Sequence, residues 1–304
     1  MLPTDSLLDQ RQCAAFTAVA ATGSFEKAAQ QLFITPSAVS LRVQALEKQL
    51  GVLLIERTRP CQLTQAGNTL LQFLHNQQRL HQDLLQQLKQ PVQHNFYPVK
   101  IGLNADSLAT WFLDATADIV KRQRILLNLH IDDQSQTHQL LKSGKVQACI
   151  SDEAKPMQGC AAVSLGTMPY KLYASPDFIT HYFADGITRQ SLFNAPAVIF
   201  NDKDRIHDRF IQQRFGIYQP SYGYHLVPSS ESFMTAIAQG LGYGMLPVLQ
   251  VKLAPQTISQ SLVELLPDAT LDIPLYWHHW RNQSARMQAF SDEIVYNAQI
   301  QLNL

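Results

Sequence analysis

Apolar positions along the first ninety residues recur at helical spacing, and beyond residue 97 they gather into short runs separated by helical stretches. Ala15, Val19 and Ala20 share one face of a helix that ends at Gly23. Ser24 can cap the next helix, Phe25–Leu32, with Glu26 in its first turn near the positive dipole end. Thr35-Pro36 opens a third helix, with threonine as N-cap and proline at N1, where its missing N–H removes no bond. Val39, Val43, Leu46 and Leu50 then form a buried stripe of 3.6 period, which Gly51 closes.

Leu53–Arg57 and Cys61–Thr64 flank Thr58-Arg59-Pro60 and predict a small β-hairpin. From Thr64 to about Gln90 there is no proline, and leucines recur at 70, 74, 80, 84 and 88 among many glutamines. One long helix with a strip for a partner helix is expected, interrupted at Gln77-Gln78. Pro91 stops it, and residues 91–97 are expected to be a hinge.

Beyond the hinge, Val99–Asn104, Leu126–Ile131 and Ala148–Ile150 are expected strands, with helices at about 107–123 and 135–143 between them. That order predicts βαβ units and a parallel sheet. Further strands are expected at 170–175, 197–201 and 224–228, with helices near 187–194, 204–215 and 231–239. Leu271–Trp280 is a late strand and Ser284–Gln301 a final helix.

A chain of 304 residues predicts two or three domains, and 46% hydrophobic with 16% charged residues is globular composition. No apolar run reaches the roughly 18–20 residues that span a bilayer. The N-terminal MLPTDSLLDQRQC has polar residues where a secretory signal needs an apolar segment, so a cytoplasmic protein is expected. Cys13, Cys61, Cys149 and Cys160 share no metal-ligand spacing and read as reduced thiols. Twenty-four basic against twenty-four acidic side chains argue against nucleic-acid binding by bulk charge. The balance is uneven along the chain: residues 1–90 carry eight basic and six acidic groups, the sign expected of a DNA-facing head.

Two short helices, a turn and a third helix make a helix-turn-helix pattern, with the hairpin as a wing. Opposite the valine stripe the third helix carries Ser37, Ser40, Leu41, Gln44 and Lys48, with Thr35 at its start. Hydroxyls and an amide near a helix N-terminus suit base edges and phosphates in a major groove. Arg57, Thr58 and Arg59 sit in the wing, where a guanidinium can clamp phosphate or enter a minor groove. Three-helix cores are common, and the pattern by itself leaves DNA binding open.

The stretch GSFEKAAQQLFITPSAVSLRVQALEKQLG, continued by LLIERT and LTQAG, resembles the N-terminal domain of LysR-type transcriptional regulators. The resemblance extends over nearly the whole chain. NADSLATW at 104–111, SSE at 229–231 and LYWHHW at 275–280 resemble the branch of that family regulating arginine and lysine export. It implies an N-terminal all-α winged helix-turn-helix (1–65) and a dimerisation linker helix (66–90). A two-lobed α/β effector domain similar to periplasmic binding proteins would follow at 91–304. Lobe I would span about 97–167 with 270–304, and lobe II about 168–269.

The implied function is sequence-specific transcriptional regulation under a small effector, lysine or arginine. The implied partners are double-stranded DNA, a second copy or a tetramer, and RNA polymerase, with no membrane, no cofactor and no metal. Ser37, Ser40 and Leu41 fall where the family reads bases, and Arg57 and Thr64 where it holds backbone. Many members have arginine in place of Leu41, and arginine or lysine in place of Gln44. An arginine–guanine contact discriminates by about 1–3 kcal/mol, so its absence implies reliance on thymine methyls, amide contacts and DNA shape. Arg42 lies beside the buried stripe, where a stem packed on the core with its head reaching phosphate and a base-reading role are equally open.

Two-lobed α/β domains bind ligands in the crevice at strand carboxyl ends. Those ends here carry Asn104, Asp106 and Ser107, then Asp132-Asp133 followed by Gln134-Ser135, then Asn201-Asp202, with Ser229-Ser230 opening a helix. Backbone N–H groups and Ser107 suit a carboxylate, Asp106 an α-ammonium, and the acidic pair a distant amine or guanidinium. Asp-Ser and Ser-Ser before helices serve equally as N-caps. Gln134 departs from an acidic residue of the branch. Gly240–Gly244 follows a helix rather than a strand and reads as a helix end and turn, not a dinucleotide loop. His278 and His279 alternate on a strand and cannot readily chelate together. A solute-binding protein of the same fold is the competing reading, and an α/β enzyme lacks a catalytic constellation.

Overall fold

The computed structural model describes residues 8–88, 96–133, 137–157, 159–218 and 222–302, without the side chains of 75, 76, 78–80 and 82–88. The chain divides near residue 94 into two compact units.

In the first unit, helices α1 (Gln10–Thr22), α2 (Phe25–Leu32) and α3 (Pro36–Leu50) pack around Phe16, Val19, Ala28, Val39, Val43 and Leu46. Each helix start is capped from the sequence: Asp9 accepts from the Arg11 and Gln12 amides, Ser24 from Lys27, and Thr35 from Ala38. Gly51 takes φ +70° at the end of α3, a left-handed conformation that glycine adopts without strain. The predicted stripe is buried at Val39, Val43 and Leu46, but Leu50 is 38% exposed. It lies in the last turn of α3, beyond the positions that α1 and α2 cover.

The wing is the antiparallel pair β1 (Ile55–Glu56) and β2 (Gln62–Leu63). Glu47 Oε1 accepts from the Leu54 and Ile55 amides at 2.9 and 3.2 Å, fastening the wing to α3. Helix α4 (Gln65–Leu88) follows, and Leu70 and Leu71 are buried against the head. Gly67 lies so close to the wing that a Cβ there would stand 2.0 Å from the Leu54 carbonyl oxygen. The side chains of Leu80, Leu84 and Leu88 lie outside the described residues, as do Gln134-Ser135 and residues 91–95 of the hinge expected at 91–97, whose last residue begins strand β3 (Tyr97–Leu103) instead.

The second unit opens with β3 (Tyr97–Leu103), α5 (Ala105–Ala109), α6 (Phe112–Arg122), β4 (Ile125–Ile131), α7 (Thr137–Lys142) and β5 (Ala148–Ser151). Strand β3 pairs in parallel with both β4 and β5, as the alternation of strands and helices predicts. The expected helix at 107–123 is broken at Thr110-Trp111. In a continuous helix neighbouring side chains diverge by about 100°; the break lets Trp111 and Phe112 both enter the core.

The chain continues as β6 (Cys160–Ala174), α8 (Pro176–Tyr182), α9 (Arg189–Asn194), β7 (Ala197–Ile199), α10 (Ile206–Phe215), β8 (Tyr224–Leu226) and α11 (Ser230–Ala238). It ends with β9 (Gly244–Pro247), α12 (Val248–Leu253), α13 (Gln256–Ser259), β10 (Val263–Glu264), β11 (Leu271–Trp280) and α14 (Ala285–Leu302). Among the described residues a seven-stranded mixed sheet runs β10-β6-β11-β5-β3-β4, with β9 on β6, and a separate parallel pair joins β7 to β8. This is a two-lobed α/β domain, with a first lobe on β3, β4 and β5 and a second on β7, β8 and β9. Strands β6 and β11 run beside one another between them.

Only 170–175 of β6 is expected from the sequence. Gly166, at φ +122°, sits where the β6–β11 register shifts, and this bulge interrupts the alternation that marks a strand. Gly240, at φ +78°, turns the chain after α11, as predicted, but the glycine run then feeds strand β9. Among the described residues no helix is long and apolar enough to cross a membrane.

Candidate functional site

In the head, Ser37, Leu41, Gln44 and Lys48 are exposed on the face of α3 opposite Val39, Val43 and Leu46, and Leu41 is 66% exposed. Arg42 and Ser40 are half-buried. Thr35 caps α3 and its hydroxyl lies 3.0 Å from that of Ser37. Arg57 Nη2 donates to Ser40 Oγ at 3.2 Å, and its guanidinium carbon stands 5.1 Å from the centre of the Phe25 ring. This arginine is therefore oriented by α2 and α3 together, a cation–π contact adding to the hydrogen bond. Thr58 donates to the Pro60 carbonyl. Thr64 donates to the Leu53 carbonyl and accepts from the Gly67 amide, so its hydroxyl is committed to joining wing and α4. Phe33, not among the residues expected at this face, takes φ +55° in the turn before α3 and is 94% exposed. A phenylalanine between Leu32 and Ile34 carries the ordinary signature of a core residue.

In the effector unit the carboxyl ends of β3 and β4 face the segment after β7 across a cleft. Its cavity, about 40 Å³, is lined by Asn104, Ala105, Asp106, Asp132, Asp133, Phe200, Asp204 and Ile206. Asp106 receives the Tyr170 hydroxyl at Oδ2 (2.6 Å) and the Ser230 hydroxyl at Oδ1 (2.7 Å). Desolvation nevertheless raises its pKa against those two bonds, which lower it. Gln250 Nε2 donates to the Ser230 carbonyl and steadies the start of α11. Asp132 is paired with Lys203 Nζ at 3.1 Å, across the cleft. Desolvation raises Asp204 to about 6, with Asp106 and Asp133 adding repulsion. Four carboxylates thus share one small space, where a cation would relieve both desolvation and mutual repulsion.

The structure brings Asn104, Asp106, Asp132 and Asp133 of the expected set together, with Ser230 bonded to Asp106. Asn201 and Asp202 instead line a neighbouring cavity on the second lobe, of about 230 Å³. Asn201 Oδ1 also accepts from the amides of Lys203 and Asp204, shaping that turn. Ser229 is engaged as the cap of α11, and Ser107 is fully buried with its hydroxyl unpartnered among the described residues. Tyr170, Lys203, Asp204 and Gln250 are additions that the sequence reading lacks. Their only signal is spatial, because each meets its partner across the fold.

His278 bonds the Glu153 carbonyl through Nε2 at 2.6 Å, and His279 bonds the Trp280 carbonyl through Nδ1 at 2.8 Å. Both are buried in the strand, in structural positions. The four cysteines form no disulfide, and desolvation raises the Cys149 thiol far above its ordinary range.

A helix-turn-helix head joined to a two-lobed α/β domain with an acidic cleft defines a DNA-binding regulator under small-molecule control. The family model for bacterial regulatory helix-turn-helix proteins of the lysR family matches residues 10–68, and that for the LysR substrate binding domain matches residues 97–299. The chain belongs to the LysR family of transcriptional regulators.

Among its relatives is the HTH-type transcriptional regulator ArgP of Vibrio cholerae, 38% identical over 288 residues, which are 95% of this chain and 96% of that one. The crystal structure of ArgP from Mycobacterium tuberculosis superposes with a TM-score of 0.81 at 34% identity, covering 96% of this chain and 98% of that one. Full-length LysG from Corynebacterium glutamicum with bound effector Arg gives a TM-score of 0.78 at 33% identity, covering 95% and 98%.

Proposed function

We propose that this regulator responds to a basic amino acid, arginine or lysine, held in the cleft between its lobes. The observation that carries the reading is the convergence of Asp106, Asp132, Asp133 and Asp204 on one cavity. Such a set repels an anion and favours an ammonium or guanidinium. The bound effector of LysG, which is Arg, supports the same class of ligand.

In the head, Ser37, Ser40, Leu41 and Gln44 read base edges from α3, while Thr35, Arg42, Arg57, Thr58, Arg59 and Thr64 position the backbone or the elements that meet it. Two copies joined through α4 present two such helices to half-sites about one helical turn, or a multiple of it, apart. The dimer, or a pair of dimers, works in the cytoplasm with RNA polymerase on genes of amino-acid export or metabolism, and performs no catalysis. A ligand shifts the arrangement of the heads only through different affinity for the two arrangements.

Calorimetry of the full chain with arginine, lysine and a neutral amino acid tests the effector. Binding of one or both basic amino acids without the neutral one is expected. Silence for all three, or equal binding of the neutral one, contradicts the reading.

A further inference from the structure

Beside the cleft, the second lobe holds the cavity of about 230 Å³ lined by Asp202, Asp204, Asp208, Tyr222, Tyr224 and the apolar pair Ile199 and Leu226. Asp204 belongs to the walls of both this cavity and the cleft. The cleft itself, at about 40 Å³, has room for a few waters, each needing roughly 10–15 Å³ of accessible space. An amino acid bound there must therefore extend into space beyond it. The neighbouring cavity lies below the roughly 300–1,000 Å³ of a complete small-molecule site and has the size of a receptacle for part of one.

Ile199 and Leu226, paired across β7 and β8, supply the apolar part of its lining. Acidic side chains stand around them. Asp208 has an exposed partner in Arg205 at 3.6 Å, a pair of a kind that contributes little. Tyr222 is 7% exposed, yet its hydroxyl has no hydrogen-bond partner among the described residues, and it lies within the electrostatic reach of Asp208. A buried hydroxyl left unbonded is costly unless something completes it.

We propose that this cavity receives the cationic end of the effector's side chain, reached from the cleft past Asp204. The methylene stem lies over Ile199 and Leu226, and the terminal group meets Asp208 and the faces or hydroxyls of Tyr222 and Tyr224. A planar guanidinium can bond a carboxylate through two N–H groups and stack on a ring at once, so arginine binds more tightly than lysine. The proposal rests on the basic-amino-acid reading above and adds where the selective end of the ligand sits.

The test is calorimetry of arginine, lysine and a neutral amino acid on the full chain, as wild type, Asp208→Asn, Tyr224→Leu and Asp106→Asn, with thermal melting of each. Tyr224 is largely exposed, so its variant folds independently of any effect on Asp208. Losses of about tenfold in arginine affinity for Asp208→Asn, and a several-fold loss for Tyr224→Leu, are expected from removing a charge-assisted bond and a ring contact. Wild-type arginine affinity in both variants, with Asp106→Asn impaired, overturns the subsite and leaves the cleft reading standing. A wild type that binds neither basic amino acid overturns both.

Discussion

Ser230 donates its hydroxyl to Asp106 at 2.7 Å, joining the start of α11 in one lobe to α5 in the other. Tyr170 holds the second oxygen of the same carboxylate from β6. A change at Asp106 therefore acts on ligand charge and on lobe contact together. Asp106→Asn keeps the shape and removes the charge. It should weaken arginine or lysine binding by about ten- to a hundredfold, as expected for a lost charge-assisted bond of roughly 1.5–3 kcal/mol. Ser230→Ala should weaken it less. Titration calorimetry reads both, and unchanged affinity in Asp106→Asn would remove this carboxylate from the site.

Lys203 presents its ammonium to Asp132 at 3.1 Å, where a ligand cation would be drawn. The pair is largely open to solvent, and such pairs contribute about 0–1 kcal/mol. Lys203→Ala should raise affinity for a basic amino acid by up to about fivefold, with little change in melting temperature. A fall in affinity would mean that Lys203 binds the ligand's carboxylate instead.

The contacts just described also mark where the sequence was legible. Caps, glycine turns and the Val39–Val43–Leu46 stripe are local, so the head and its exposed α3 face could be read directly. Acidic residues at strand ends follow from alternation of strands and helices. What joins them does not: Tyr170 meets Asp106 across 64 positions and Ser230 across 124. Lys203 and Asp204 sit in a polar loop with no local signature. Phe33 and Leu50 have core-type side chains in exposed places, because a left-handed turn and the outer end of a helix govern their surroundings. The first half of β6 is hidden by its bulge at Gly166.

Acidification should weaken the effector. Asp204, raised to about 6 by desolvation, holds a proton below that pH in the folded chain, whereas the unfolded chain releases it near 4. Its contribution to stability is thus present at low pH and is lost as pH rises through about 6. A bound cation favours the ionised form and expels the proton. Arginine affinity should fall as pH drops from 7.5 to 5, by up to about tenfold per unit below 6 for one coupled proton. Asp204→Asn should flatten the profile. A pH-independent affinity in the wild type would refute the linkage.

On the head, Leu41 is exposed and contributes little to the core. Leu41→Ala should leave the melting temperature within a degree or two while reducing sequence-specific gel retardation, through loss of apolar contact to thymine methyls. Ser40→Arg should abolish it while the protein stays folded. With eight basic side chains among the first ninety residues, the salt dependence of binding should be shallow for each subunit. A slope implying many released ions per subunit would contradict that.

Gly67 marks the close approach of α4 to the wing, with no space for a Cβ beside the Leu54 carbonyl. Gly67→Ala should destabilise the head by about 1–3 kcal/mol through overpacking. Chemical denaturation followed by helical signal measures it. An unchanged midpoint would show that wing and linker separate freely.

The most direct test of the whole account is genome-wide mapping of bound sites in cells grown with and without added arginine or lysine, for the wild type and for Asp106→Asn. A DNA-binding regulator governed by this cleft predicts discrete sites whose occupancy or footprint changes with the amino acid. It also predicts that the variant occupies the same sites without responding. Absence of discrete sites, or an Asp106→Asn protein that responds like the wild type, would contradict it.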